Sequence, residues 1–212
     1  MAKDLIIIGA SGHGKVVADI ARQMAAMGMS RYEEICFLDD DTSIATCGRY
    51  PVIGMAKEAE RFLNAADIFV AIGGTEIRRE IMERLERMSA HIPVLIHPSA
   101  IMGEDVSIGR GSVIQAGAVI DPYVKVGKGC IINKCVNVSH DCVIGDYVHI
   151  APGAHICGGV RIGSGSGIGA GATVVQGLRI CEGCMVGAGA AVVSDIEEAG
   201  IYVGVPARQR AG

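Results

Sequence analysis

From Ile96 to Val192 an aliphatic side chain returns at every sixth position: Ile96, Ile108, Ile114, Ile120, Val126, Ile132, Val138, Ile144, Ile150, Ile156, Ile162, Ile168, Val174, Ile180, Val186 and Val192, with Met102 the single departure. A strand repeats every 2 residues and a helix every 3.6, so neither holds this phase. A sustained six-residue period predicts a parallel β-helix, a solenoid of short strands turning corners at fixed intervals. Two residues before each aliphatic stands another small or apolar residue, among them Ala118, Val124, Cys130, Val136, Cys142, Val148, Ala154 and Val160. Each short strand therefore has two inward groups. Gly109, Gly127, Gly145 and Gly163 follow the aliphatics at an 18-residue spacing. Three hexads thus make one coil, and residues 18 apart share a column.

Upstream the pattern changes. Leu5-Ile6-Ile7-Ile8 is a continuous apolar run of the kind found in buried parallel strands. It leads through Gly9-Ala10-Ser11-Gly12-His13-Gly14-Lys15 into a helical pattern with Val17, Ile20, Ala21 and Met24 on one face. Ile35 to Leu38 reads as a second strand and runs into Asp39-Asp40-Asp41. Pro51 to Gly54 reads as an edge segment and Ala56 to Leu63 as a helix. Asp67 to Ile72 is a third strand, ending at Gly73-Gly74. Thr75 to Met88 is amphipathic, with Ile77, Ile81, Leu85 and Met88 aligned, and Pro93 to Ile96 is a last strand. Strands alternating with helices predict a small Rossmann-like α/β parallel-sheet domain over 1–95, with the β-helix over 96–212. Past Val192 the period breaks, and Ile201 to Ala207 reads as a terminal loop segment.

Composition agrees with a solenoid. The chain is 50% hydrophobic, with 30 Gly and no Trp, so its core is aliphatic. Net charge is −4 without a basic cluster, which argues against nucleic acid and anionic membrane surfaces. The apolar run near the N-terminus is too short for a secretory signal, and no stretch is long enough to span a bilayer. A cytoplasmic protein without membrane insertion is expected. Of eight cysteines, Cys130, Cys142 and Cys184 fall in the small inward slot, where a thiol acts as a compact hydrophobe. Cys181 and Cys184 form C-x-x-C, with no second pair at zinc-ribbon spacing.

Two regions carry candidate chemistry. The Gly9–Gly14 turn hands a strand to a helix, so its amides and the helix N-terminus suit a phosphate; its spacing, G-x-x-G-x-G, departs from the dinucleotide fingerprint. Asp39 and Asp40 end the next strand, where an acid can hold ribose hydroxyls or a base edge, while Asp41 reads as a solvated turn. Together these favour a nucleotide. In the solenoid, His140, His149 and His155 stand out among small and charged outward residues. His140 adjoins Asp141, and a carboxylate neighbour fixes an imidazole tautomer for general-base work. Adding 18 to 140 gives Gly158, whose exposed amide would lie beside that base as an oxyanion donor. Metal ligation by the three histidines is the rival reading. Their spacing puts them on different faces of one chain.

The residues Ile8-Gly9-Ala10-Ser11-Gly12-His13-Gly14, Phe37-Leu38-Asp39-Asp40, Val138 to Gly145, Val148 to Gly153 and Val203-Gly204-Val205-Pro206-Ala207 resemble those of bacterial nucleotide-sugar acetyltransferases of the left-handed β-helix superfamily. These include the UDP-4-amino-sugar and perosamine N-acetyltransferases and the related sialic acid O-acetyltransferases. The resemblance implies a left-handed coil, a homotrimer with intersubunit active sites, and acetyl-CoA as co-substrate without a metal. It implies His140 as general base, with Asp141 where the bacillosamine-type enzymes carry Glu. It further implies His149 against acetyl-CoA, the Gly158 amide facing the thioester oxygen, and Ala170 and Ala188 along the pantetheine arm. Gly12, His13, Gly14, Asp39 and Asp40 would hold the nucleotide, with Gly73 at the rim.

The expected activity is acetyl transfer from acetyl-CoA to the amine of a UDP-linked 4-amino sugar, in surface-glycan or glycoprotein biosynthesis. Transfer to a hydroxyl of a free sugar such as sialic acid, a γ-carbonic-anhydrase-like metalloenzyme and a non-catalytic nucleotide-sugar sensor are the alternatives. Acetyl-CoA turnover, acceptor preference and metal content separate them.

Overall fold

A computed structural model describes residues 3–30 and 32–210 of the chain. Two units divide it, Met1–Pro98 and Ser99–Gly212. The first is a three-stranded parallel sheet in which β1 (Lys3–Ile8) lies between β2 (Tyr32–Leu38) and a strand at Ala66–Val70. Leu5 to Ile8 are all buried, because the central strand of such a sheet is covered on both faces. Helix α1 (Gly12–Ala26) buries Val17, Ile20, Ala21 and Met24, as its pattern predicts, together with Gly14 and Ala18. After β2, a hairpin of β3 (Thr46–Cys47) and β4 (Tyr50–Pro51) leads into a 3₁₀ helix at Ala56–Phe62, where the sequence suggests an ordinary helix. The Ala66–Val70 strand, β5, precedes α2 (Thr75–Arg87). Leu95–Ile96 forms a short strand, β6, outside the three-stranded sheet.

The buried stripe of α2 differs from the one its sequence suggests. Ile77 is 55% exposed, whereas Arg78, next to it, is 1% exposed, and the stripe runs through Arg78, Met82 and Leu85. The cause is a loop that needs donors. Arg78 Nη1 donates to the carbonyls of Ile72 (2.9 Å) and Gly73 (2.8 Å), so the guanidinium turns inward and rotates the face by one residue. A buried polar cation is tolerated where such bonds satisfy it.

The second unit is a left-handed β-helix whose two-residue strands stack into three parallel sheets. The six-residue series points inward: from Ile114 to Val192 every member is at most 5% exposed. The slot two residues earlier is equally buried from Ser112 to Val160. Ser112 and Ser166 occupy it without an apolar side chain, and each is satisfied in the same manner. Ser112 Oγ donates to the Gly127 carbonyl and accepts from Cys130 N–H; Ser166 Oγ donates to the Cys181 carbonyl and accepts from Cys184 N–H.

Corner glycines fall into two classes that the sequence pattern merges. Every sixth residue from Asp105 to Gly189 has a positive φ, as the third position of a type II turn requires. Gly109, Gly127, Gly145 and Gly163 are not among them. They are small because the next coil passes too close: a Cβ on Gly145 would stand 2.7 Å from Ser164 N. The last coil is covered by the segment after Val192. Ile196 bridges Ile180, and Ile201–Val203 continues one sheet before pairing antiparallel with Arg208–Gln209.

Candidate active site

His140 stands at the corner between the strands Asn137–Val138 and Val143–Ile144, which belong to different sheets. The column arithmetic holds in the backbone: Asp141 N–H donates to Pro122, Gly159 N–H to His140 and Gly177 N–H to Gly158 carbonyls. Gly158 is therefore directly above His140. A Cβ built on it would lie 2.7 Å from Nε2 and 2.8 Å from Cε1 of the imidazole. Glycine is what lets the ring rest against the next coil. The Gly158 N–H has no backbone acceptor among the described residues.

The imidazole is anchored from its other side. His140 Nδ1 lies 2.7 Å from Asp141 Oδ2. A carboxylate at this distance suits the neutral tautomer with its proton on Nδ1, in which Nε2 keeps a lone pair. Both side chains are open to a ligand, 65% and 62% exposed. Asp141 has φ +61, the left-handed conformation that a side chain makes unfavourable and that Asp tolerates better than most. The corner turn thereby aims its carboxylate at the preceding residue's ring. Buried Cys142 follows; desolvation pushes its thiol up to about 11, and Sγ donates to the Cys157 carbonyl at 3.1 Å. That thiol is a packing group rather than a nucleophile.

The other histidines do not converge on this corner. His149 lies on the sheet between Ile131 and Gly167, with Asn133 Nδ2 3.4 Å from its Nε2. His155 lies on a neighbouring sheet between Asn137 and Thr173 and is exposed. Among the described residues no three His, Cys, Asp or Glu side chains come within metal-binding reach of one another. Ala170 and Ala188 are exposed and share a corner column with Pro152, through Gly171 N–H to Pro152 and Gly189 N–H to Ala170 bonds.

In the first unit the Gly-rich turn is held by an acid. Asp39 Oδ2 accepts from Ala10 N–H at 2.6 Å and Oδ1 from Asp41 N–H at 2.9 Å. Asp40 Oδ1 accepts from Ala56 N–H at 2.9 Å. Both carboxylates shape loops, a role the sequence does not announce. The ladder of α1 begins at Lys15, whose N–H donates to the Ser11 carbonyl, so the amides of the first turn lie upstream of it, at the positive end of the helix dipole. Gly12 is exposed with open space around it, and His13 is half-buried in that turn. Gly14 differs: it is buried, and a Cβ there would press on the Gly9 carbonyl and on the Phe37 ring. Its smallness serves packing of helix on strand. Gly73 is exposed, its carbonyl fixed by Arg78, the residue of this loop that a helical-face reading overlooks. An arginine beside an apolar stripe, four residues past Gly74, is the signal that could have found it.

Comparison with known proteins follows the same division. Residues 4–85 match the family described as PglD N-terminal domain, and 123–158 and 141–176 match bacterial transferase hexapeptide repeats. The chain is 34% identical over 117 residues to the UDP-N-acetylbacillosamine N-acetyltransferase of Bacillus subtilis, a match covering 54% of this chain and about half, 52%, of that protein. It is 30% identical over 168 residues to the GDP-perosamine N-acetyltransferase of Escherichia coli O157:H7, covering 77% of this chain and 74% of the other. The solved acetyltransferase domain of PglB from Neisseria gonorrhoeae, in complex with acetyl coenzyme A, superposes with a TM-score of 0.93 at 40% identity, over 99% of this chain and all of that one.

Proposed function

This chain belongs to the hexapeptide-repeat N-acetyltransferases of nucleotide-linked amino sugars, and we propose that it moves the acetyl group of acetyl-CoA to the amine of such a sugar with His140 as general base. The observation that carries the reading is the His140–Asp141 hydrogen bond at a corner where Gly158 leaves the ring its room. The neutral amine attacks the thioester carbonyl, and Nε2 takes the proton that nitrogen loses as the new C–N bond forms. The Gly158 N–H donates to the oxygen that gains charge in the tetrahedral intermediate. Collapse breaks the C–S bond, and the imidazolium returns the proton to the CoA thiolate. The products are an N-acetyl sugar and free CoA. Asp141 stabilises the transient imidazolium.

Binding is divided between the units. His149, Ala170 and Ala188 would line the acetyl-CoA, where exposed alanines leave space for the pantetheine arm. The first turn of α1, at Gly12 and His13, would meet the sugar's diphosphate, with Gly14 supporting that turn from below. Asp39 and Asp40 hold the loops beside it, and Gly73 forms its rim. UDP is the expected nucleotide, as in the name of the Bacillus relative, with GDP the alternative. We further propose a cytoplasmic homotrimer; no helix of the described residues is long and apolar enough to cross a membrane.

The test is a panel of UDP-, GDP- and dTDP-linked amino sugars with free sialic acid as the hydroxyl acceptor, scored by CoA release. Turnover on an amino sugar with none on sialic acid is expected. Release with sialic acid alone would replace the amine by a hydroxyl acceptor.

A further inference from the structure

At the last corner of one column the glycine rule breaks. Gly109, Gly127, Gly145 and Gly163 are each pressed by the coil above, and the position one coil further on is Cys181. No full coil follows there. The covering segment takes its place, with Cys181 N–H donating to the Ile196 carbonyl at 2.8 Å, and a side chain becomes possible. That side chain meets Cys184, which fills the inward slot; the two sulfurs lie 3.2 Å apart.

The backbone between them is already shaped for a bond. Cys181-Glu182-Gly183-Cys184 is a corner turn with Gly183 at φ +69. A turn of this kind holds its end Cα atoms within about 7 Å, and a disulfide spans roughly 4.4–6.8 Å. The thiols differ in access. Cys181 is half-buried and lines an open groove with Arg161, Arg179 and Ile196, whereas Cys184 is buried behind it, 3.5 Å from the Glu198 carbonyl. Both are free cysteines.

We propose that Cys181 and Cys184 are a reversible dithiol–disulfide site, oxidised by small-molecule disulfides that enter through this groove. In the first step the Cys181 thiolate attacks a sulfur of the small disulfide, forming a mixed disulfide and releasing one small thiol. In the second, Cys184 loses its proton and attacks the Cys181 sulfur, releasing the other small thiol. The protein gives up two electrons and two protons, and the small disulfide becomes two thiols. Cys181 reacts first because it lines the groove while Cys184 is buried behind it, and burial also pushes the Cys184 thiol up. This site is independent of the acetyl-transfer reading.

Reduced protein equilibrated with rising ratios of glutathione disulfide to glutathione, acid-quenched and weighed, reports the reaction directly. The folded protein is expected to lose two hydrogens, with Cys181 and Cys184 linked in one peptide, and to regain them with excess dithiol. Ser166 fills the same inward column one coil earlier, so Cys184→Ser is compatible with the fold. That variant is expected to stop at a glutathione adduct on Cys181. Folded wild type that keeps both thiols at ratios that oxidise a denatured sample would overturn the proposal. So would wild type that accumulates the adduct, or a C184S protein that takes none at Cys181.

Discussion

Gly158 lies so close over His140 that a Cβ on it would stand 2.7 Å from the imidazole Nε2. The ring is the exposed end of a flexible side chain, so it is the partner that would move. Gly158→Ala is therefore expected to fold with a nearly unchanged Tm, and to lose on the order of 10²-fold in kcat as the base leaves its place. The alanine keeps the main-chain N–H. A fold-stable variant with wild-type kcat would separate the ring from the chemistry.

Asp141 couples a backbone cost to a proton-holding role. Asp141→Gly removes a side chain from the φ +61 position and the Nδ1 acceptor with it. Its thermal stability is expected to match or exceed wild type, since left-handed backbone costs a side chain roughly 1 kcal/mol. Its kcat is expected to fall about tenfold, near 1.4 kcal/mol of barrier. Asp141→Asn retains an acceptor oxygen and the tolerance for this conformation, and is expected to fall less. Denaturation curves and steady-state rates on the three proteins read both effects.

Two glycines in the first turn of α1 are expected to respond differently. Nothing lies within 4 Å of a Cβ on Gly12, so Gly12→Val is expected to fold and to raise the KM for the nucleotide sugar, leaving that for acetyl-CoA unchanged. At Gly14 the Phe37 ring stands 2.9 Å from the added atom and the Gly9 carbonyl closer still. Gly14→Ala is expected to cost about 1–3 kcal/mol of stability by overpacking. A Gly12→Val protein that weakens acetyl-CoA alone would reverse the assignment of the two units.

The solenoid was legible because its core is a repeating physical constraint. One inward aliphatic per hexad forces a period, and the period fixes columns, so Gly158 follows from His140 by adding 18. The first unit is less legible, because single interactions override its patterns. Arg78 turns inward to bond two carbonyls and shifts the buried face away from Ile77. Asp39, read as a ligand for ribose, also accepts from the loop's own amide at Ala10, a second role that the pattern does not reveal. Likewise Gly109 and Gly111 look alike in sequence. Only the coil spacing separates a glycine needed for close approach from one needed for its φ.

Cys142 follows Asp141 in the chain and is expected to take no part in the chemistry. Its thiol is buried and held protonated at neutral pH, with burial pushing it up to about 11. Cys142→Ala is expected to retain its turnover per folded molecule and to lose about 1 kcal/mol of stability. An acetyl group trapped on this sulfur, read by mass spectrometry of quenched reactions, would replace direct transfer by a two-step route.

The central claim is that His140 takes the proton from the attacking amine, and His140→Ala tests it most directly when kcat and both KM values are measured on one nucleotide amino sugar. A loss of roughly 10²–10⁴-fold in kcat is expected, with both KM values within a few-fold of wild type. A rise of the wild-type rate with pH is expected, and it should be absent from the variant. Near wild-type kcat in the alanine protein would contradict the account.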